Sequence, residues 1–128
     1  MQIGKAKDSL QAAGLCCERK LHNSTASRAY YAMFQAAIVA LETAGVKPAG
    51  ERWSHEGLQA TFALEFTHKR KAYPHSLAVM LVDGLTIRNE ADYEDVNTSE
   101  RRAYQILRWA RGLVERVEEV VSHEPGPE

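Results

Sequence analysis

Between Asn23 and Ala44 the apolar residues Tyr30, Met33, Phe34, Ala37, Ile38 and Leu41 fall at steps of three and four, the spacing that lines one face of an α-helix. A half-buried strand needs strict alternation, which this segment lacks. The periodicity predicts a helix that starts near Asn23 or Ser24, either of which can cap it, and stops at Gly45, with Pro48 and Gly50 beyond.

The same pattern recurs along the chain. Ile3, Ala6, Leu10, Ala13 and Cys17 form an earlier stripe, weakened by Gly14. Ser54 is placed to cap a helix carrying Leu58, Phe62 and Phe66, which the basic segment THKRKAYP interrupts. Pro74 suits the first turn of a helix that carries Leu77, Met80, Leu81, Leu85 and Ile87 and runs toward Tyr93. Asn97 with Glu100 resembles a capping box, followed by Ala103, Ile106, Leu107, Ala110, Leu113, Val114, Val117 and Val121. No internal repeat and no hairpin signal occurs. Helices with one apolar face each, joined by short loops, bury those faces most simply against one another. The expectation is an all-α protein, an antiparallel up-and-down bundle of about five helices over residues 1–122, with a flexible C-terminal tail at 123–128.

A chain of 128 residues can bury roughly two thirds of its unfolded surface as one domain. A net charge of −1 exerts no overall pull on nucleic acid or anionic lipid, so any basic site must be local. Cys16 and Cys17 are adjacent, have no second pair with which to build a zinc set, and read as reduced thiols. No apolar run approaches the ~20 residues that span a bilayer, and the N-terminus has no signal-peptide core. A cytoplasmic protein without membrane association is expected. Neither a Gly-rich phosphate loop nor a nucleophile elbow is present, and no cofactor is called for.

Several stretches could carry function. SRAYYAMFQAA, residues 27–37, sets Arg28 ahead of paired tyrosines, whose hydroxyls need partners once buried. Tyr30 and Tyr31 lie about 100° apart on a helix, so one can pack inward with its hydroxyl toward the Arg88 and Asp92 end while the other approaches a dimer seam. RNEADYED, residues 88–95, gathers Arg88, Asn89, Asp92 and Tyr93 at one helix end, with Arg88 and Asp92 four apart and able to pair. Lys69, Arg70 and Lys71 beside Tyr73, with Arg101, Arg102, Arg108 and Arg111 on the last helix, suit the phosphates and bases of single-stranded RNA. Glu65 and His68 have a spacing used by di-iron bundles, but such a site needs a second copy, and no metal is expected.

The two stretches together resemble the HEPN superfamily of small helical-bundle proteins, in the branch that reads RAYYAMF early and R..ADY late. Arg28, Tyr30, Tyr31, Met33 and Phe34 match the first motif. Arg88, Ala91, Asp92 and Tyr93 match the second, and His55, Gly57 and Leu58 resemble an intervening H.GL segment. The resemblance implies a symmetric homodimer in which the late motifs meet, and pairing with a small nucleotidyltransferase in toxin-antitoxin systems. It also implies RNA or nucleotide as ligand. Arg88, Asn89, Asp92 and Tyr93 become the candidate catalytic residues, and Arg28, Tyr30, Tyr31, Lys69, Arg70 and Lys71 the candidate binding residues. Tyr93 is also a candidate acceptor of AMP from the nucleotidyltransferase.

Ribonucleolytic members follow the arginine, a few residues on, with a histidine. Here Arg88 and Asn89 stand in place, but the aligned position is Tyr93. An ordinary tyrosine, with a pKa near ~10, is a poor general base at neutral pH. The expected function is binding with weak or no cleavage. A metal-independent endoribonuclease toxin and a purely structural bundle are the alternatives.

Overall fold

The longest buried surface belongs to α2 (His22–Thr43), around which the other helices are arranged. α1 (Ile3–Glu18), α4 (His75–Tyr93) and α5 (Glu100–His123) all pack against it, and α1 also touches α5. The computed structural model describes residues 1–69 and 72–123 and, of these, every side chain but those of Thr67 and His68. Among the described residues there is no strand, and the architecture is all-α with five helices packed together. None is long and apolar enough to cross a membrane.

α2 can be central because its inward positions are small. Ala26, Ala29, Ala32, Ala36, Ala37 and Ala40 are all buried, and alanine lets neighbouring helix axes approach to the short end of the ~8–10 Å range. The large residues that fill the remaining space are Tyr30, Met33 and Leu41 from α2, Leu81 from α4, and Ile106, Leu113 and Val117 from α5. On α5 the predicted stripe from Ala103 to Val117 is buried without exception, and Val121 is half-buried.

α3 (His55–Phe62) is capped as expected, by Ser54 Oγ accepting from the Gly57 amide at 2.9 Å. It does not stop at the basic segment but runs on as a π-helical turn, Ala63–Lys69. Phe62, Phe66 and Tyr73 form an aromatic cluster there, with ring centroids 4.9 to 5.3 Å apart.

Three capping expectations need correction. α2 begins at His22, and neither Asn23 nor Ser24 caps it. The Asn23 side chain is used elsewhere: its Oδ1 accepts from the Thr98 amide at 2.8 Å and its Nδ2 donates to Asn97 Oδ1 at 3.1 Å. That leaves Asn97 committed as well, and the cap of α5 is Ser99, whose Oγ accepts from the Arg102 amide. Pro74 precedes α4 rather than opening its first turn, because its extended ψ of 143° keeps it outside the helix.

Two helices end in the same hydrogen-bonded stop. At α2 the amides of Gly45 and Val46 return to the carbonyls of Glu42 and Leu41, with Gly45 at φ 79°. At α1 the amides of Lys20 and Leu21 return to Cys17 and Cys16, and Lys20 holds φ 59°. Glycine takes that left-handed conformation without the Cβ clash that lysine suffers. Replacing Lys20 with glycine should therefore stabilise the protein by about 1 kcal/mol, read as a higher urea midpoint at unchanged slope. Cys16 and Cys17, next to this stop, are free thiols, the first half-buried and the second buried.

Candidate functional site

The last turns of α4 face the middle of α2 across a glycine. A Cβ on Gly84 would sit 3.3 Å from Tyr30 Cδ1 and 3.4 Å from Met33 Sδ, so the bare backbone is what lets the Tyr30 ring lie on α4. One helical turn further on is Arg88. Its stem is packed away, leaving the side chain 12% exposed. Its guanidinium lies over two tyrosine rings, 5.7 Å from the Tyr31 centroid and 5.3 Å from that of Tyr93, a placement in which each ring face attracts the cation.

Asp92 completes the end of α4. Its Oδ2 is 3.0 Å from Arg88 Nε, though the N–H is not aimed at it and the buried Nε makes no hydrogen bond. The contact is an ion pair without the directional part. Ser27 on α2 donates to the same Oδ2 at 3.1 Å and so ties the carboxylate to the facing helix. Arg88 Nη1 donates to Asn89 Oδ1 at 3.3 Å, and Arg102 Nη1 reaches Glu90 Oε2 at 2.7 Å, joining α4 to α5. Thr86, Asn89, Glu90, Tyr93 and Glu94 line an open depression beside this end. Tyr93 is 73% exposed.

The tyrosine pair divides into an inward and an outward ring as expected, but the inward hydroxyl meets a different partner. Tyr31 is partly exposed and underlies Arg88, whereas Tyr30 is wholly buried. The Tyr30 hydroxyl pairs with His55 Nδ1 at 2.9 Å, not with the Arg88 and Asp92 end. Burial pushes its pKa up from 10.0 to about 12, against the opposing pull of the Gln59 hydrogen bond and the Arg88 charge. His55, at the first position of α3, packs edge-on to Phe34 with centroids 4.8 Å apart. Burial, and then the nearby Arg88 charge, push its pKa below the ordinary 6.5, with Glu56 opposing.

Arg88, Asn89, Asp92, Tyr93 and Tyr31 are thus brought together. Among the described candidates, Arg28, Tyr30 and Lys69 are not part of this cluster. Arg28 is exposed and makes no hydrogen bond or ion pair among the described residues. Lys69 ends the π-helical turn, 3.9 Å from Glu65, and the fourteen residues between His55 and Lys69 set them roughly 20 Å apart along the helix. Arg70 and Lys71 lie outside the described residues, as does the His68 side chain of the Glu65 and His68 spacing. Ser27, Gln59, Gly84 and His55 were not among the candidates. Only His55 carried a signal, as part of the H.GL segment, and nothing local in the sequence says which residue it meets.

The result is a helical bundle with a guanidinium held over two aromatic rings at an open helix end, groups whose chemistry suits anions and planar rings. The chain matches the HEPN domain over residues 2–120 and belongs to that family. It is also similar to a protein of Methanocaldococcus jannaschii named "Putative toxin MJ0605", with 28% identity over 117 residues that cover 91% of this chain and 83% of the relative.

Proposed function

We propose that this HEPN protein is one half of a toxin-antitoxin-like pair with a small nucleotidyltransferase, works as a homodimer, and binds RNA or nucleotide at the Arg88 end of α4 with weak or no cleavage. The observation that carries this reading is the Arg88 guanidinium, held over Tyr31 and Tyr93 at an exposed helix end, with no histidine following it on α4. The name of the archaeal relative supports the toxin-antitoxin context.

The surface of α4 supports the dimer. Val79, Val82, Thr86, Asn89 and Tyr93 follow one another at steps of three and four, all exposed, and two of the apolar members are 43% and 50% exposed. Such a stripe, continuous with the Arg88 end, is suited to cover by its own copy around a two-fold axis. Tyr93 ends the stripe and is 73% exposed in one protomer, so a modifying enzyme would reach it at the rim of the interface or before the copies meet. An AMP group there would add bulk and negative charge beside Asp92 and Glu94 and close the site to RNA.

The test combines three readouts on the purified protein. Light scattering after gel filtration should give a dimer mass at micromolar concentration. A fluorescein-labelled single-stranded RNA at low salt should bind, and Arg88→Ala should weaken it at least tenfold, about the loss of one charge-assisted contact. Incubation of that RNA with EDTA should leave it intact. A monomer, or binding indifferent to Arg88→Ala, overturns the proposal. Cleavage abolished by Arg88→Ala establishes the ribonuclease instead.

A further inference from the structure

The Tyr30 and His55 contact can be resolved by accounting for protons. Tyr30 keeps its hydroxyl proton throughout the neutral range. Among the described residues the hydrogen-bond partner of the hydroxyl is His55 Nδ1, at 2.9 Å. A phenol that donates to Nδ1 requires a neutral imidazole with its own proton on Nε2. That nitrogen has no hydrogen-bond partner among the described residues and is not among the buried polar atoms left unsatisfied, so it meets solvent.

Three contacts hold the His55 ring at the seam of α2 and α4, within range of the Arg88 charge. The Tyr30 ring is seated on Gly84, one turn before Arg88 on the same face of α4. Gln59 on α3 donates to the Leu81 carbonyl of α4 at 3.3 Å, fastening the two helices together. Phe34 closes the other side of the imidazole. The groups facing His55 are Tyr30 from α2, Glu56 from its own helix and Arg88 from α4, and the Arg88 charge reaches both Tyr30 and His55.

We propose that His55 is the second phosphate-binding group of the site, a neutral imidazole that donates from Nε2 to the phosphate whose charge Arg88 attracts. This rests on the reading of Arg88 as the anchor for RNA or nucleotide. It also gives that reading a cause for binding without cleavage. With Nδ1 occupied by Tyr30 and a proton on Nε2, the imidazole has no free lone pair with which to act as a base. The bound phosphate belongs either to an RNA chain or to a free nucleotide, and both present the same oxygens.

Two substitutions separate the nitrogens. The glutamine amide of His55→Gln reaches as far as the imidazole Nε2, whereas the asparagine amide of His55→Asn reaches only to the position of Nδ1, toward Tyr30. With labelled single-stranded RNA at pH 7, His55→Gln should bind within about threefold of wild type and His55→Asn about tenfold more weakly, the loss expected for one hydrogen bond to a charged group. Competition by AMP, compared with competition by unlabelled RNA, tells which source the site prefers. Long-range proton–nitrogen NMR should show His55 protonated on Nε2 at pH 7. Tyr30→Phe, which preserves the ring, should raise the His55 pKa and make RNA binding tighten as the pH falls toward 6. Equal binding by His55→Gln and His55→Asn, with Arg88→Ala still damaging, overturns the role of His55 and leaves the Arg88 reading standing. A proton found on Nδ1 overturns it as well. Binding indifferent to Arg88→Ala removes both.

Discussion

Tyr30→Ala should cost about 3–5 kcal/mol, a large share of the 5–15 kcal/mol that a domain of this kind possesses. The ring is wholly buried, seated on Gly84 and flanked by Phe34 and His55 at centroid distances of 6.1 and 5.5 Å. No neighbour can collapse into the hole without moving a helix. Tyr30→Phe keeps the volume and removes only the partner of His55 Nδ1, so about 1 kcal/mol is expected. Urea titration of the three proteins gives both numbers. The pH dependence has a definite sign. A phenol whose folded pKa is raised to about 12 contributes stability that is present below pH 10 and lost as the pH climbs from 10 toward 12. His55 acts at the other end. With its folded pKa below 6.5, the unfolded chain takes up the proton more readily, and stability falls as the pH drops below 6.5. The alkaline loss should vanish in Tyr30→Phe and the acid loss in His55→Gln.

Phe62→Ala should also cost about 3–5 kcal/mol, through the aromatic cluster rather than the site. Phe62 is wholly buried and touches both Phe66 and Tyr73, whose rings also meet each other edge-on. This cluster holds the π-helical turn that continues α3, and α3 makes fewer contacts with the bundle than α1 or α5 does. Hydrogen exchange should show the damage concentrated in residues 55–69, with α1, α2 and α5 still protected at denaturant concentrations where α3 has opened. Uniform loss of protection would place Phe62 in the same cooperative unit as the main core.

Elements whose burial follows a single periodic stripe were legible in the sequence. α5 is the clearest case, because one face meets the core and the opposite face is charged, and the stripe reads directly as burial. α4 was harder: Val79 and Val82 are exposed while Gly84 is buried, so side-chain character and burial part company where a glycine admits a neighbouring ring. The Ser54 cap was legible, and the expected caps of α2 and α5 failed for a related reason. Asn23 and Asn97 have the right chemistry for helix starts, but Asn23 is consumed by Asn97 and by the Thr98 amide, and Asn97 by Asn23, contacts across more than seventy residues that no local pattern contains. Of the site, the Arg88 and Asp92 pair was readable because its partners share a helix. His55 was not, because its hydroxyl partner lies twenty-five residues away on another helix.

The shortness of α3 has a kinetic consequence. Its eight α-helical residues and the seven of the π-helical turn that follows only reach the length at which an isolated helix is marginal in water, about 12–15 residues. The α1 and α2 hairpin, by contrast, joins two long helices through a loop of three residues, Arg19 to Leu21, so its contacts close early and at low entropic cost. α3 has nothing to condense on until Tyr30 and Leu81 are both in position, since its bonds run from His55 to the first and from Gln59 to the second. His55 is therefore expected to dock after the folding transition state, with φ-values near zero along α3 and higher ones in the α1 and α2 hairpin.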